Sequence, residues 1–245
     1  MKERLDKILV QRGLVSSRER ARALILAGQV VVDDHRVDKA GIQVADDAHI
    51  RIKGQDFAYV SRGGVKLEKA LQEFNINVSG RIAIDVGAST GGFTDCLLQK
   101  GVKKVYAVDV GYGQLAWQLR GNPKVVNMER CNIRYLDARC LDEKPSLAVI
   151  DASFISLNKV LPNTLKLLSD QADVIALIKP QFEVGKGRVG KGGVVKDPDL
   201  HVQVVEQVCQ LAHELGCLVV GVVESPILGP KGNREFLIYL VKNAA

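Results

Sequence analysis

Hydrophobic residues follow a helical period at the start of the chain and change to short extended runs soon after. Apolar positions at helical spacing predict a helix over residues 3–12 and a second helix that begins after Ser17 and ends at Gly28. The pattern then changes to three short β segments, at residues 30–32, 35–37 and 49–52. The sequence therefore predicts a small α+β module over residues 1–56.

From residue 61 onward, runs typical of buried strands alternate with helical patterns. Helices are predicted over residues 64–74 and 198–215. The apolar runs predict seven strands, at residues 82–85, 105–109, 125–128, 147–151, 174–178, 217–223 and 235–241. This alternation is typical of an α/β fold, here an open, mostly parallel Rossmann-like sheet over residues 61–245 with helices on both faces. Residues 57–60 are predicted to be a packed connector.

A glycine-rich turn follows the predicted strand that ends at Asp85. The glycines within residues 87–92 allow the backbone to turn tightly and to approach a ligand closely. Ser89 stands where a dinucleotide fingerprint requires glycine, and the carboxylate of Asp85 suits a positively charged group such as the amino group of S-adenosylmethionine. Asp109, at the end of the next strand, can accept hydrogen bonds from two ribose hydroxyls. An ordinary turn with two solvated acids is the alternative interpretation.

Two residues after the third predicted strand could complete this nucleotide site. A base could pack on the apolar side chain of Ile133 and hydrogen-bond with Asn132. The sequence therefore predicts S-adenosylmethionine as the cofactor, and we expect no metal ion.

Four charged residues stand at or near the ends of predicted elements: Lys66, Asp151, Lys179 and Glu235. Glu235 opens its strand, so it reaches the same edge of the sheet as the others only if that strand runs antiparallel. Two neighbouring lysines lower the pKa of one of them, because like charges disfavour the protonated form. A neutral lysine is a credible general base for a hydroxyl group, while the acids hold the second lysine charged. Taken singly, each residue is more often part of a surface ion pair.

Composition narrows the class of protein. With 245 residues, 47% of them hydrophobic, the chain can bury a substantial core. A formal net charge of +6 favours an anionic partner, nucleic acid first. The five cysteines form no C-x-x-C pair, which indicates reduced, mostly buried thiols in a cytoplasmic protein. No apolar run reaches the ~18 residues of a membrane span and no signal peptide precedes the first helix, so we expect no membrane partner. The sequence does not give the oligomeric state, and a monomer is favoured.

Basic residues that could contact RNA occur in two places. Arg18 and Arg22 are four positions apart on one helix face, where they can grip phosphates, although a solvated helix surface is the alternative. Lys186, Arg188 and Lys191 lie in a glycine-rich loop that nearly matches a nucleotide-binding P-loop. The loop lacks the Ser or Thr that binds Mg²⁺ and has no helix start after it, so we reject an NTPase. Contact with an RNA backbone is the preferred interpretation, and a mobile loop with solvated charges is the alternative.

Two sets of motifs resemble known families. Residues 4–31, which begin with Arg4-Leu-Asp and end with Gly28-Gln-Val-Val, resemble the alpha-L RNA-binding motif. The remaining motifs resemble the FtsJ-like RNA ribose methyltransferases: Ser61-Arg-Gly-Gly-Val-Lys66-Leu, Asp85-Val-Gly-Ala-Ser-Thr-Gly-Gly-Phe93, Asp151-Ala-Ser-Phe-Ile-Ser156, Leu177-Ile-Lys-Pro-Gln-Phe-Glu183 and Gly232-Asn-Arg-Glu-Phe236. Together they make the chain similar to the TlyA family, also labelled haemolysin A, over essentially its full length.

The resemblance implies a class I methyltransferase domain that transfers a methyl group from S-adenosylmethionine to the 2′-hydroxyl of a cytidine in ribosomal RNA. It implies a catalytic tetrad of Lys66, Asp151, Lys179 and Glu235. The implied cofactor-binding residues are Asp85, Gly87, Ser89, Thr90, Gly91, Gly92, Phe93, Asp109, Asn132 and Ile133. The expected RNA contacts are Arg4, Arg18, Arg22, Arg62, Lys186, Arg188 and Lys191. The chain ends soon after the last strand, as in shorter members that modify large-subunit RNA, so we expect that RNA or its subunit as substrate.

Three other functions are weighed against this one. An RNA-binding ribosome assembly factor with an inactive methyltransferase domain is disfavoured by the intact tetrad. A membrane-lytic protein, as the haemolysin label implies, would need a spanning segment or a basic amphipathic helix with aromatic anchors, and neither is found in the sequence. A dehydrogenase is disfavoured by Ser89.

Overall fold

The structure is a computed structural model, and it describes residues 2–15, 17–33, 35–45, 47–52, 58–185, 187–190 and 192–243. The chain divides into two compact units, Met1–Ala58 and Tyr59–Ala245. The predicted connector, residues 57–60, spans this division, and its Phe57 lies outside the described residues. The domain boundaries 1–56 and 61–245 stay a prediction.

The described part of the first unit contains two helices and five short strands. In chain order these are β1 (Lys2–Arg4), α1 (Leu5–Gln11), α2 (Arg18–Leu26), β2 (Val30–Val32), β3 (His35–Val37), β4 (Gln43–Ala45) and β5 (Ile50–Ile52). β2 pairs antiparallel with both β3 and β5, and β1 pairs antiparallel with β4. Leu5, Ile8 and Leu9 of α1 pack with Ala21, Leu24 and Ile25 of α2 in one apolar cluster.

Two predictions for the first unit need correction. The first helix begins at Leu5 and not at residue 3, because the backbone of Arg4 is extended and pairs with Gln43. β4 was not predicted, since three residues of mixed polarity have no readable period. The second helix begins as expected, with the Ser17 hydroxyl accepting a hydrogen bond of 3.1 Å from the Arg20 N–H.

The second unit alternates strands and helices, as the sequence predicted. Its strands are β6 (Ile82–Val86), β7 (Lys104–Val108), β8 (Val125–Met128), β9 (Leu147–Ile150), β10 (Ala172–Ile178), β11 (Cys217–Glu224) and β12 (Phe236–Lys242). Its helices are α3 (Gly63–Glu73), α4 (Gly92–Gln99), α5 (Trp117–Arg120), α6 (Leu157–Leu167), α7 (Pro180–Glu183) and α8 (Pro198–Glu214), with short 3₁₀ helices at Ile133–Tyr135, Ala138–Cys140 and Pro230–Gly232.

These seven strands form one sheet in the order β11-β12-β10-β9-β6-β7-β8. β10, β9, β6, β7 and β8 run parallel to one another, and β12 runs antiparallel between β10 and β11. Because β12 is antiparallel, Glu235 lies at the edge of the sheet where the neighbouring parallel strands end, which is the condition that the sequence analysis set for this residue.

Helices cover both faces of the sheet, which confirms the predicted fold class. On one face, strand residues such as Ile84, Tyr106 and Ile150 pack with Leu161 of α6 and Val208 of α8. On the opposite face, alternating strand residues pack with apolar side chains of α3 and α4. Strands covered on both faces must be apolar throughout, and this is why the continuous apolar runs predicted them correctly.

Two further features bear on the sequence analysis. All five cysteines are free thiols, although Cys140 is exposed and so departs from the expected burial. Within the described part of the chain, no helix combines the length and the apolar character needed to cross a bilayer.

The Ser17 cap gives a test of the first unit's local structure. Ser17→Ala removes the acceptor for the Arg20 N–H, so the free energy of unfolding of this unit should fall by about 1 kcal/mol. Ser17→Asp, which keeps an acceptor oxygen, is the matched control and should retain most of that stability. Urea unfolding followed by circular dichroism checks both, and a free energy of unfolding of Ser17→Ala equal to that of wild type would show that the cap does not contribute.

Candidate active site

The strand register brings a buried lysine and a buried glutamate together. Ile178, the last residue of β10, pairs with Phe236, the first residue of β12, so Glu235 lies at the carboxyl end of β10. Lys66, in the first turn of α3, reaches this point, and its Nζ lies 2.5 Å from Glu235 Oε2. Both side chains are almost fully buried, at 9% and 0% exposure. A buried carboxylate and a buried ammonium are tolerated because each neutralises the other.

A second lysine pairs with the acid of the neighbouring strand. Asp151 follows β9 and Lys179 follows β10, and these strands are parallel neighbours. Lys179 Nζ lies 2.5 Å from Asp151 Oδ1 and donates a hydrogen bond of 2.8 Å to Ser153 Oγ. The structure thus arranges the four predicted catalytic residues as two lysine–carboxylate pairs at one edge of the sheet.

Three of these four residues face one open cavity of about 320 Å³. Lys66, Asp151 and Lys179 line it, together with Arg62 and Ser153. Glu235 does not line the cavity but lies behind Lys66, where Gly229 packs against it so closely that a Cβ there would come within 2.1 Å of Glu235 Oε1. Lys66 therefore connects Glu235 to the cavity.

A second cavity, which we call the nucleotide cleft after the ligand that the sequence predicts for it, has a volume of about 430 Å³ and adjoins the first. Gly87, Ser89, Asp151 and Ser153 line both cavities. Gly87 has φ +85°, and a Cβ on it would lie 2.8 Å from the Asp151 carbonyl oxygen, so only glycine allows the two strand ends to approach this closely. A ligand in the cleft can thus present a reactive group to the lysine-lined cavity.

Asp109 is held at the wall of the nucleotide cleft by backbone donors. Its Oδ2 accepts the Ser89 N–H and its Oδ1 accepts the Gly111 N–H, each at 2.7 Å. Asn132 and Ile133 also line the cleft, and Ile133 is buried. A fixed carboxylate, an amide and an apolar surface in one cleft are the groups that bind a nucleoside.

The other predicted cofactor residues lie elsewhere around the turn. Thr90, Gly92 and Phe93 line the lysine-lined cavity, whereas Asp85 and Gly91 line neither cavity. Asp85 is fully buried inside β6, where its Oδ2 accepts a hydrogen bond of 2.6 Å from Thr94 Oγ1. Burial raises the pKa of Asp85 to about 7, and the nearby Asp151 charge adds to the rise.

The predicted RNA contacts are distributed over both units. Arg4, Arg18 and Arg22, in the first unit, all contact the carboxylate of Asp6. In the second unit, Arg62 is an exposed residue at the lysine-lined cavity, and Arg188 donates a hydrogen bond to Gln203 of α8. Lys186 and Lys191 lie outside the described residues.

Sequence reasoning missed three residues at the site. Ser153 contacts Lys179 directly, and the motif Asp151-Ala-Ser-Phe was the available signal. Phe154 lines the nucleotide cleft with 91% of its surface exposed, and an exposed ring is a stacking surface for a base. Asn233 is buried and hydrogen-bonds with the backbone of Gly193, Val195 and Pro230, so it fixes the turn that carries Glu235.

Comparison with known proteins agrees with this geometry. Residues 59–242 match the family model of FtsJ-like methyltransferases, and residues 3–50 match that of the S4 domain. A relative from Mycobacterium tuberculosis, named 16S/23S rRNA (cytidine-2′-O)-methyltransferase TlyA, is 49% identical over 97% of this chain and 89% of its own. A relative from Campylobacter jejuni, named 23S rRNA (cytidine-2′-O)-methyltransferase TlyA, is 37% identical over 76% of this chain and 72% of its own.

A solved structure gives the same result for the fold. A chain from Streptococcus thermophilus, named as a hemolysin, superposes with a TM-score of 0.78 at 47% sequence identity. The match covers 99% of this chain and 89% of the other. Both units therefore have a counterpart in a solved relative.

The buried Asp85 predicts a pH dependence of stability. Its pKa is about 7 in the folded protein and near 3.9 in an unfolded chain, so between these pH values the folded state holds a proton that the unfolded state releases. The free energy of unfolding should therefore fall as the pH rises from 4 to 7, by at most about 4 kcal/mol from this group. Asp85→Asn should remove that slope, whereas Asp170→Asn, an exposed control, should keep it. Urea unfolding at several pH values measures the slopes, and equal slopes for wild type and Asp85→Asn would contradict the assignment.

Proposed function

Because the chain belongs to the FtsJ-like methyltransferase family, we propose that it uses S-adenosylmethionine to methylate the 2′-hydroxyl of a cytidine in ribosomal RNA. The observation that carries this proposal is the pair of lysines, each with a buried or half-buried carboxylate, facing a cavity that adjoins a nucleoside-binding cleft. Relatives named for this reaction and an S4 domain at the amino terminus support the choice of RNA as substrate.

The residues of the nucleotide cleft fit S-adenosylmethionine. Asp109 uses one lone pair of each oxygen for a backbone N–H, and the remaining lone pairs can accept from two ribose hydroxyls. Ile133 would pack against the adenine and Asn132 would hydrogen-bond it. The turn at Gly87 and Ser89 would hold the methionine portion beside the lysine-lined cavity, since both residues line both cavities.

When bound, the cofactor supplies an electrophilic methyl group on its sulfonium, and the protein must orient the ribose and remove one proton. Lys179 accepts the proton of the 2′-hydroxyl at its Nζ, after that nitrogen has released a proton of its own to solvent. Asp151 and Ser153 fix that nitrogen in place from two sides. Positioning and proton removal are the two contributions that this transfer needs from side chains.

Lys66 and Glu235 have a different role in this proposal. Lys66 carries a positive charge at the cavity wall, and that charge stabilises the oxygen as it becomes an alkoxide. Glu235, buried behind Lys66, pairs with that lysine and holds its Nζ at one position. Glu235 is therefore a positioning residue, and the other three tetrad members face the substrate.

We further propose that large-subunit RNA, free or in its subunit, is the preferred substrate, which places the enzyme with ribosomes in the cytoplasm. One relative is named for 23S RNA alone and another for both 16S and 23S RNA. The test is to incubate the protein with S-adenosylmethionine and each unmodified subunit separately, and to analyse the nucleosides by mass spectrometry. The proposal predicts 2′-O-methylcytidine in the large subunit, and a product in the small subunit alone would contradict the preference.

Lys179→Ala separates catalysis from cofactor binding. Loss of the proton acceptor should lower the rate of methyl transfer by a factor of about 10²–10⁴. The affinity for S-adenosylhomocysteine, measured by calorimetry, should change by less than about twofold, because Lys179 does not line the nucleotide cleft. Lys159→Ala, an exposed control on α6, should leave both quantities unchanged. A large loss of cofactor affinity, or an unchanged rate, would refute the role of Lys179 as base.

Asp109→Asn tests the ribose contact. An amide offers only one acceptor oxygen and no charge, so affinity for S-adenosylhomocysteine should fall by about 10- to 100-fold. Asp38→Asn, an exposed change in the first unit, serves as the control and should bind normally. Unaltered affinity in Asp109→Asn would remove this residue from the cofactor site.

Arg18→Glu with Arg22→Glu tests the RNA face of the first unit. Loss of two phosphate contacts should weaken binding to large-subunit RNA and reduce the slope of log affinity against log salt concentration by about two. The matched control reverses two exposed lysines near the amino ends of β8 and β9, Lys124→Glu with Lys144→Glu. Equal effects in the two double variants would show that only net charge matters.

A further inference from the structure

Asp6 is a buried carboxylate surrounded by arginines in the first unit. It is the second residue of α1, and its side chain has no exposed surface. Arg4 donates to it twice, from Nε to Oδ1 at 2.9 Å and from Nη2 to Oδ2 at 3.1 Å. Arg18 Nη2 lies 2.9 Å and Arg22 Nε 3.4 Å from Oδ2. A single anion therefore organises three guanidinium groups.

The three arginines come from two different elements. Arg4 ends β1, whereas Arg18 and Arg22 are one turn apart on α2. Their side chains are 38%, 48% and 53% exposed, so each guanidinium reaches from solvent to a carboxylate that solvent cannot reach. The arrangement fixes the inner edges of the guanidinium groups and leaves their outer edges accessible.

The net charge of the Asp6 cluster and the number of its N–H donors favour binding of an anion on the solvent-facing side of the three guanidinium groups. Three cations around one carboxylate leave a local net charge of +2. Each guanidinium has five N–H donors, and the contacts with Asp6 use one or two of them. Hydrogen bonds from Arg4, with the charges of Arg4 and Arg18, hold the pKa of Asp6 well below its usual range, so the carboxylate stays ionised at neutral pH.

We propose that Asp6 is a positioning residue for RNA binding, which holds Arg4, Arg18 and Arg22 in a preformed clamp for backbone phosphates. This inference rests on the proposed function, because it takes ribosomal RNA as the ligand. A guanidinium matches the geometry of a phosphate through parallel N–H donors, and its planar fork loses less freedom when it is already oriented.

The proposal predicts an effect opposite to simple electrostatics. Removal of a carboxylate from an RNA-binding face should strengthen binding, since the phosphates lose a repelling charge. Here removal also releases three long side chains, which then repel one another and must be ordered when RNA binds. Ordering costs a factor of roughly 2 to 10 in affinity for each such side chain, which exceeds the relief of one screened repulsion.

The experiment compares Asp6→Asn with Glu19→Gln in the full-length protein. Each variant replaces one carboxylate with its amide, but Glu19 is exposed on α2 and is not part of the Asp6 cluster. Binding to large-subunit RNA is measured at several salt concentrations without cofactor. We expect affinity to fall about tenfold for Asp6→Asn and to stay equal or rise for Glu19→Gln. Binding by Asp6→Asn that is as tight as wild type, or tighter, would overturn the proposal.

A second measurement keeps the proposal testable if Asp6→Asn does not fold. Arginine side-chain NMR on the wild-type protein without RNA reports rotation of each guanidinium group. Slow rotation, with separate Nη–H signals for Arg4 and Arg18, is expected of a preformed clamp. Averaged signals for both would show that the groups are mobile before binding, and that result would overturn the proposal. If Asp6 had only a structural role, Asp6→Asn would have a lower unfolding midpoint than wild type. Under conditions in which the variant is folded, its affinity for RNA would then equal that of wild type.

The same data distinguish failure of this inference from failure of the proposed function. Either of two results would refute the RNA role of the first unit: wild type that does not bind ribosomal RNA, or Arg18→Glu with Arg22→Glu that binds it like wild type. The positioning role of Asp6 would then be refuted as well. If wild type binds ribosomal RNA and Arg18→Glu with Arg22→Glu binds it more weakly, but Asp6→Asn behaves like Glu19→Gln, the arginines bind RNA without help from Asp6.

Discussion

The antiparallel direction of one strand, β12, determines which charged side chains meet at the candidate active site. Because β12 enters the sheet antiparallel to β10, the chain leaves β10 at Lys179 and enters β12 from Glu235 at the same edge. A parallel β12 would have put Glu235 at the other end of a seven-residue strand, roughly 20 Å away. Lys66 would then be a buried cation with no partner. The close approach of Gly87 to Asp151 completes the edge by joining the lysine-lined cavity to the nucleotide cleft.

Burial of the charges at this edge is better explained by function than by stability. An ion pair removed from water recovers little net stability, since desolvation offsets most of the attraction between its members. Each pair does fix the position of a lysine Nζ to within hydrogen-bond reach of one carboxylate. The arrangement in the first unit follows the same principle, because there a buried carboxylate fixes three arginines. In both units a carboxylate fixes the position of the basic groups to which we assign contact with RNA.

Much of this architecture follows from sequence periodicity, and the rest depends on contacts between distant segments. The apolar runs predicted every strand of the large sheet, because strands covered on both faces admit few polar residues. β4 was not predicted because its three residues are of mixed polarity. The first helix begins later than predicted because Arg4 pairs with a residue 39 positions further along the chain. The sequence indicates that Asp85 belongs to the turn and faces a ligand, but in the structure it lies inside β6 and accepts a hydrogen bond from Thr94. The convergence of three arginines on Asp6 has no local signal, since it requires α1 and α2 to be packed first.

We propose that the two lysine–carboxylate pairs direct a methyl group to a ribose hydroxyl of RNA. The most direct test uses methyl-labelled S-adenosylmethionine with unmodified large subunits, followed by alkaline hydrolysis of the RNA, which cannot cleave next to a 2′-O-methylated ribose. We expect label in an alkali-resistant dinucleotide with the wild-type protein. Label in single nucleotides would mean methylation of a base, and absence of label with the cofactor bound would favour an RNA-binding assembly factor; either result would refute ribose methylation by these pairs.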